Sequence, residues 1–321
     1  MSTMRAIIIE KPGGPEVLLP AEIERPVRVN AEFLVQIVAA GVNPIDAKTR
    51  AGRGVATAID DWPAVLGADF SGIVVESPYE SHPLQPGDEV YGMIMNPRFT
   101  GSYAEYAAVP SISLARKPKA LSHVEAAGVP LAALTAWGMV VEVARAHEGQ
   151  RILIHAGAGG VGHFAVQFAA YFGAHVIATG SQRNVAWLRE LGASQVIDHG
   201  ASRFEEEVSD VDVVIDLIGN ASDDTGTRSL GVLRPGGLLV NAPTGSWPTM
   251  QAECAAAGIR STGYKTAPDG STLAVISRLL ESGDVRVFVD QVFDLDHVAD
   301  AHRALETGHT RGKIVLTVRD R

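Results

Sequence analysis

One cysteine, Cys254, is all this chain has. That scarcity excludes an internal disulfide and any site assembled from several thiolates. Long apolar runs are missing too. Nowhere do about 18 consecutive apolar residues occur, so no segment qualifies as a membrane span. There is no basic block either, and 27 Lys and Arg against 37 Asp and Glu leave a formal net charge of −10. Nucleic acid and anionic membrane surfaces are therefore not expected partners. The opening stretch, MSTMRAIII, carries one arginine and then a short strand-like run, without a signal-peptide pattern. The expected compartment is the reducing cytoplasm.

What is present has two textures. Of 321 residues, 46% are apolar and 20% charged, a globular composition whose length fits two domains. Up to about residue 122, strand-like runs at Arg5–Glu10, 32–40, Asp69–Val75, Glu89–Ile94 and Ser102–Val109 are punctuated by Pro and Gly. They predict a compact β-rich domain, partly a barrel, with short helices in 44–51 and 122–128. Strand candidates at 151–155, 174–179, 195–198, 211–218, 237–241 and 259–263 then alternate with helical stretches at 128–147, 160–172, 183–191, 222–232 and 270–282. Repeated βα units imply a parallel sheet covered on both faces. Near 285 the β texture returns in VRVFVDQVFDL and KIVLTV, with Leu295–Glu306 helical between them. The expected layout is α/β: residues 1–122 completed by 285–321, and a second domain at 123–284.

The stretch RILIHAGAGGVG (151–162) organises that second domain. An apolar run leads at once into Gly157-x-Gly159-x-x-Gly162, and Val161, Phe164, Ala165, Phe168 and Ala169 follow at helical spacing. Strand, glycine turn and helix in this order match the dinucleotide-binding fingerprint. Glycine permits the sharp turn and the close approach of a pyrophosphate, and the helix N-terminus supplies N–H groups and partial positive charge. Gly157, Gly159, Gly160, Val161 and Gly162 are the candidate phosphate-side residues. The alternative is a glycine-rich turn closing an ordinary βα unit.

Several blocks along the chain carry a family resemblance. They are GVNPIDAKTRAG (41–52), PAVLGADFSGIV (63–74), QPGDEVYG (85–92), GSYAEYAAVP (101–110), PLAALTAWGMV (130–140), HAGAGGVG (155–162), LGASQVIDH (191–199) and RGKIVLTV (311–318). In this order the chain resembles the zinc-independent quinone oxidoreductase, zeta-crystallin-like, branch of the medium-chain dehydrogenase/reductase superfamily. The resemblance implies a GroES-like domain, a Rossmann domain with a doubly wound parallel sheet, a nicotinamide cofactor and a homodimer formed through the Rossmann domain near 237–241 and 257–264. Zinc-containing relatives hold a catalytic metal with cysteine and histidine and a structural zinc with four cysteines. Here that cysteine's position, after Gly41-Val42, falls at Asn43 or its neighbour, and His82, His123, His147 and His163 lack ligand-like spacing. No metal is expected, and these histidines read as surface or helix-end residues.

The strand at 174–179 runs into Gly180-Ser181-Gln182-Arg183-Asn184, and no acid lies between Gly162 and Glu190. A site preferring NAD usually places Asp or Glu there for the ribose hydroxyls, whereas a hydroxyl and a guanidinium suit a 2′-phosphate. NADPH is the expected cofactor, held by Ser181 and Arg183, unless Arg183 is merely a solvated residue in the next helix. The resemblance adds Thr135, Gly219, Asn241 and Lys313 near the nicotinamide, with the backbone at Asn241–Pro243 as an alternative contact and Lys313 alternatively a surface charge. His155 is expected to be a buried, hydrogen-bonded histidine.

Without a metal to polarise an alcohol or ketone, simple alcohol dehydrogenation is disfavoured. Hydride addition to a quinone or α,β-unsaturated carbonyl yields a delocalised anion that needs only hydrogen-bond donors and a proton. Donor candidates are Asn43, Asp46, Lys48, Arg50 and Arg53. Asn43 is placed at the nicotinamide ribose or substrate, Asp46 in a loop-holding role, and Arg53 at a developing oxyanion or in solvent. Many family members carry a tyrosine shortly after RxG; this chain has Arg50-Ala51-Gly52-Arg53 and no tyrosine. That lowers the weight of an enoyl-thioester reductase and leaves open a non-catalytic NADPH-binding or redox-sensing protein. The acceptor is expected between Asn43, the 94–101 loop and the nicotinamide. Met95 and Phe99 are offered as an apolar wall or as domain packing, and Trp62, Tyr79 and Trp247 are left open.

Overall fold

The computed structural model describes residues 2–95 and 101–319. The chain first lays down β1 (Thr3–Ile9), β2 (Leu19–Glu24), β3 (Glu32–Val42), β4 (Ala64–Val65), β5 (Asp69–Glu76), β6 (Glu89–Met93), β7 (Tyr106–Pro110) and β8 (Leu114–Arg116), with helices α1 (Pro44–Arg50) and α2 (His123–Ala127). Helix α3 (Pro130–Trp137) continues into a π-helical turn at Gly138–Val143. Next come β9 (Arg151–Ile154), α4 (Gly162–Tyr171), β10 (His175–Gly180), α5 (Val185–Glu190), β11 (Gln195–Asp198), α6 (Phe204–Glu207), β12 (Val211–Asp216), α7 (Thr225–Ser229), β13 (Leu233–Asn241), α8 (Met250–Ala256) and β14 (Arg260–Gly263). The chain ends with α9 (Gly270–Ser282), β15 (Val289–Asp294), α10 (Val298–Glu306) and β16 (Lys313–Thr317).

These elements form two compact units, one of Met1–Leu134 with Ala267–Arg321 and one of Thr135–Thr266. In the first, a seven-stranded sheet runs β15-β16-β3-β5-β6-β8 with β7 also on β3, beside a three-stranded sheet β2-β1-β4. Strand β3 is buried along nearly its whole length, and Phe33, Val35 and Ile37 join Phe70, Val90, Ile314 and Leu316 in one core. The late strand β16 pairs antiparallel with β3, Ile314 opposite Val42 and Val315 opposite Gly41. Chain end and site loop are thereby neighbours. Strand β2 was not legible in the sequence: LPAEIE has no buried face, and it pairs only with β1.

The second unit is a six-stranded sheet ordered β11-β10-β9-β12-β13-β14, with every pair parallel. Counted from β9 this is the 3-2-1-4-5-6 order of a doubly wound dinucleotide-binding sheet, whose order reverses between β9 and β12. Ile152–Ile154 and Val213–Ile215 are buried without alternation, because helices cover both faces. The helix expected over 128–147 ends instead at Trp137 and passes into the π-helical turn.

Candidate functional site

In the sheet unit, the turn after β9 is tied down by its own backbone. The Gly157 N–H donates to the Thr179 carbonyl at 2.9 Å, that of Gly159 to Ala156 at 2.9 Å, and that of His163 to Gly159 at 3.0 Å. Gly162 is the position that admits no side chain. A Cβ there would collide with the Ala156 carbonyl oxygen and lie 2.8 Å from Gly157 Cα. A Cβ on Gly159 would meet only the Ala156 oxygen, at 3.3 Å. Gly159, Gly160 and Val161 are partly exposed at the start of α4. His155 is buried, with Nε2 2.9 Å from Ser229 Oγ and Nδ1 3.3 Å from Thr179 Oγ1. The Ser229 hydroxyl donates to the Thr225 carbonyl at 2.7 Å, so it accepts from His155, whose proton sits on Nε2. Burial pushes this imidazole down to about 4. It is a neutral histidine that knits the sheet to α7.

Ser181 and Arg183 follow β10. Ser181 Oγ accepts from Asn184 Nδ2 at 3.1 Å, and Arg183 is exposed. At the ends of β12 and β13 one buried carboxylate gathers two candidates. Asp216 Oδ1 accepts from the Ile218 and Gly219 N–H groups at 2.9 and 2.8 Å, and Oδ2 accepts from Asn241 Nδ2 at 2.8 Å. Asp216 went unremarked in the sequence, where an acid ending a buried strand was the available signal. Thr135, in α3, is 6% exposed.

The loop joining β3 to α1 lies in the first unit and is built on buried charge. Asn43 caps α1, and its N–H donates to Asp46 Oδ2 at 2.8 Å. Its side chain is turned inward: Nδ2 donates to Asp69 Oδ2 at 3.0 Å, and Oδ1 accepts from Lys313 Nζ. Lys313 also reaches the Val42 carbonyl at 3.3 Å and Asp69 at 3.4 Å. It is 3% exposed, so the alternative of a surface charge is overturned. The β16–β3 pairing puts it there. Asp46 and Asp69 are both buried with this one ammonium. Burial pushes Asp46 up to about 7, the backbone N–H of Asn43 opposing and Asp69 adding to the rise. Asp69 is likewise raised by burial, with Lys313 opposing.

Behind Asp46 runs a hydrogen-bonded chain whose direction is fixed. Arg50 Nη1 can only donate, so His302 Nδ1 accepts from it at 3.3 Å and the imidazole proton lies on Nε2. That N–H donates to Tyr103 Oη at 3.2 Å, and the Tyr103 hydroxyl donates to Asp46 Oδ2 at 3.3 Å. Arg50 also pairs with Glu306 at 2.6 Å. Burial and the Arg50 charge push His302 down to about 3, which keeps it neutral in this role. Asp69, Tyr103 and His302 were not singled out from sequence, because nothing local marks them as partners of residues 43–50. Arg53 is exposed, and Lys48 is half-buried.

Residues 30–119 match the family described as Alcohol dehydrogenase GroES-like domain, and residues 191–316 the family described as Zinc-binding dehydrogenase. The chain is 37% identical to the 2-methylene-furan-3-one reductase of Solanum lycopersicum, over 98% of this chain and 79% of that one. It is 36% identical to the chloroplastic NADPH-dependent alkenal/one oxidoreductase of Arabidopsis thaliana, with the same coverage. The solved structure of the quinone oxidoreductase from Coxiella burnetii superposes with a TM-score of 0.93 at 36% identity, over 99% of this chain and all of that one. The chain belongs to the quinone and alkenal oxidoreductase group of the medium-chain dehydrogenase/reductase superfamily.

It is an oxidoreductase of the zeta-crystallin-like type, with the GroES-like and Rossmann folds that membership requires, and it uses a nicotinamide cofactor. Among the described residues no group of three or more His, Cys, Asp or Glu side chains is arranged to hold a metal ion, and no helix is long and apolar enough to cross a membrane. Of the aromatic candidates, Trp247 is buried in the Rossmann core, while Trp62 and Tyr79 are 37% and 57% exposed. Met95 is 38% exposed, and Phe99 lies outside the described residues.

Proposed function

We propose that this protein is an NADPH-dependent reductase of quinones and other α,β-unsaturated carbonyl compounds that works without zinc. The observation that carries the reading is the 155–162 turn, closed tightly enough to exclude a Cβ at Gly162, beside a β10 end that offers Ser181 and Arg183 and no acid. These residues fit a phosphorylated dinucleotide. Gly157, Gly159, Gly160, Val161 and Gly162 take the pyrophosphate, and Ser181 and Arg183 take the 2′-phosphate. Thr135, Gly219 and Asn241 serve the nicotinamide half, the last two held in place by Asp216. When bound, the cofactor supplies a hydride to an electron-poor carbon. The negative charge that then develops on the acceptor oxygen needs a donor, and exposed Arg53 provides one. Asn43 and Lys313, turned inward on each other and on Asp69, set the shape of the loop between β3 and α1. The protein acts as a homodimer in the cytoplasm; β14, the outer strand of the Rossmann sheet among the described residues, offers a strand edge for the partner subunit.

The test is steady-state oxidation of NADPH and NADH with quinones, short enones and 2-enoyl thioesters. NADPH is expected to be preferred by about tenfold or more in kcat/KM, a difference of about 1.4 kcal/mol. Arg183→Ala should erode that preference through the NADPH value alone. Equal use of NADH by the unaltered protein would remove Ser181 and Arg183 from the reading. NADPH binding without turnover of any acceptor would favour a sensing protein.

Zinc-independence has its own check. Purified protein is expected to contain no stoichiometric zinc by elemental analysis and to keep its activity after dialysis against a chelator. Tightly bound zinc lost together with activity would overturn it.

A further inference from the structure

In the Rossmann unit, one carboxylate joins the two loops that leave β12 and β13. Glu253 lies in α8, partly exposed, with both oxygens engaged. Its Oε2 accepts from the Thr227 hydroxyl at 2.6 Å, and Thr227 belongs to α7, just past the β12 loop. The same hydroxyl oxygen accepts from Asn220 Nδ2 at 2.7 Å, and the Thr227 N–H donates to Asn220 Oδ1 at 3.0 Å. Oε1 serves the other loop. It accepts from Trp247 Nε1 at 3.1 Å and from the Thr249 hydroxyl at 2.5 Å, both in the segment after β13. These three donors hold the carboxyl below the ordinary glutamate range, so it stays ionised.

Those contacts set how the two loops lie. Among the described residues one backbone bond joins them directly, from the Asn220 N–H to the Ser246 carbonyl at 3.1 Å. The Trp247 ring sits so close to α7 that a Cβ on Gly226 would be 2.5 Å from it. Asp216 holds the near ends of the loops, at Gly219 and Asn241. Glu253 holds the far ends, and as a charged acceptor it makes stronger bonds than a neutral group would. The strand pairing and the Asp216 bonds do not depend on it. What depends on it is the spacing of two loops at the carboxyl ends of neighbouring parallel strands, beside the point where the strand order reverses.

We propose that Glu253 is a positioning residue for the nicotinamide half of the cofactor, acting through Thr227, Asn220 and Trp247. The assignment rests on the reading above, in which Ser181 and Arg183 take the 2′-phosphate at the end of β10. With the pyrophosphate on the glycine turn after β9, the β12–β13 side is left for the nicotinamide.

The test compares a whole cofactor with half of one. NADP⁺ carries the nicotinamide, whereas 2′,5′-ADP has the adenine, the ribose and the 2′-phosphate without it. In titration calorimetry, Glu253→Ala is expected to weaken NADP⁺ by about tenfold and to leave 2′,5′-ADP within about twofold. Glu253→Gln keeps an acceptor for Trp247 and Thr249 and offers an amide to Thr227, so it should recover most of the loss. Thr227→Val cuts only the α7 arm and should fall between the two. In the cofactor-free protein, amide hydrogen exchange should quicken in Glu253→Ala over 219–229 and 243–249 and stay unchanged in β9 and β12. Unchanged NADP⁺ affinity in Glu253→Ala overturns the proposal. So does equal weakening of both ligands, which would mean a general loosening of the unit. A preference for NAD⁺ would defeat the NADPH reading alone, because the same comparison with NAD⁺ and ADP still decides the role of Glu253. Absence of turnover with every acceptor would defeat the reductase reading alone, since binding and exchange need no acceptor.

Discussion

Replacing Gly162 with alanine is expected to lower NADPH affinity by about 100-fold or more, equivalent to roughly 2.7 kcal/mol. The added methyl has no room: it collides with the Ala156 carbonyl oxygen and crowds Gly157. Both are backbone atoms, so rotamer changes cannot relieve the clash. The turn must open, and the N–H groups at the start of α4 lose their aim at the pyrophosphate. Gly159→Ala separates shape from space. Its methyl meets only the Ala156 oxygen at 3.3 Å, so the fold should persist while binding falls, because the methyl occupies room the phosphate needs. Fluorescence titration with NADPH gives affinity, and thermal unfolding of the apo protein gives stability. Tight binding by Gly162→Ala would show that the turn is not the phosphate cradle.

Lys313→Met is expected to destabilise the protein by about 3–5 kcal/mol at pH 8, the range for removing one partner of a buried ion pair. The methionine keeps the volume but leaves Asp46 and Asp69 buried without their cation. The pH dependence follows from the direction of the shifts. Both carboxyls are raised in the folded state, so the folded protein holds protons that the unfolded chain has released. Stability from these groups is therefore greatest below the ordinary aspartate range and is lost as pH rises toward about 7, where Asp46 titrates. The penalty in Lys313→Met should be small near pH 5 and full at pH 8. Asp46→Asn keeps an acceptor for the Asn43 N–H and the Tyr103 hydroxyl while removing the charge. It should gain on the unaltered protein by a few kcal/mol, as an order of magnitude, between about pH 4 and pH 8. In the Lys313→Met background it should recover much of the loss. Urea unfolding at several pH values measures all three variants. A Lys313→Met penalty independent of pH would mean that lost packing, and not unpaired carboxylates, is what the variant feels.

How much of this was legible beforehand depended on how far apart the cooperating residues lie. The Rossmann strands were readable because each is a short apolar run whose burial on both faces removes alternation, and the intervening helices repeat at their own period. The glycine turn was readable because strand, turn and helix are contiguous within 151–169. Strand β2 was not, since a strand with no buried face has no hydrophobic pattern to display. The loop from Asn43 to Arg53 could be picked out by its resemblance to the family pattern, and its Asp46 reads as a loop-holding residue.

Sequence alone thus determined the fold class, the family resemblance, the glycine turn after β9 and the acid-free end of β10, all products of local pattern. Only the tertiary structure decided what the buried polar residues do. Lys313 meets Asn43 across 270 residues of chain because β16 pairs antiparallel with β3. His302 meets Arg50 across 252 because α10 packs on α1. A lysine in RGKIVLTV reads either as a surface charge or, by the family resemblance, as a residue near the cleft, and the strand register places it beside two buried carboxylates. Once there, the cost of burying unpaired charge makes each of these groups depend on the others.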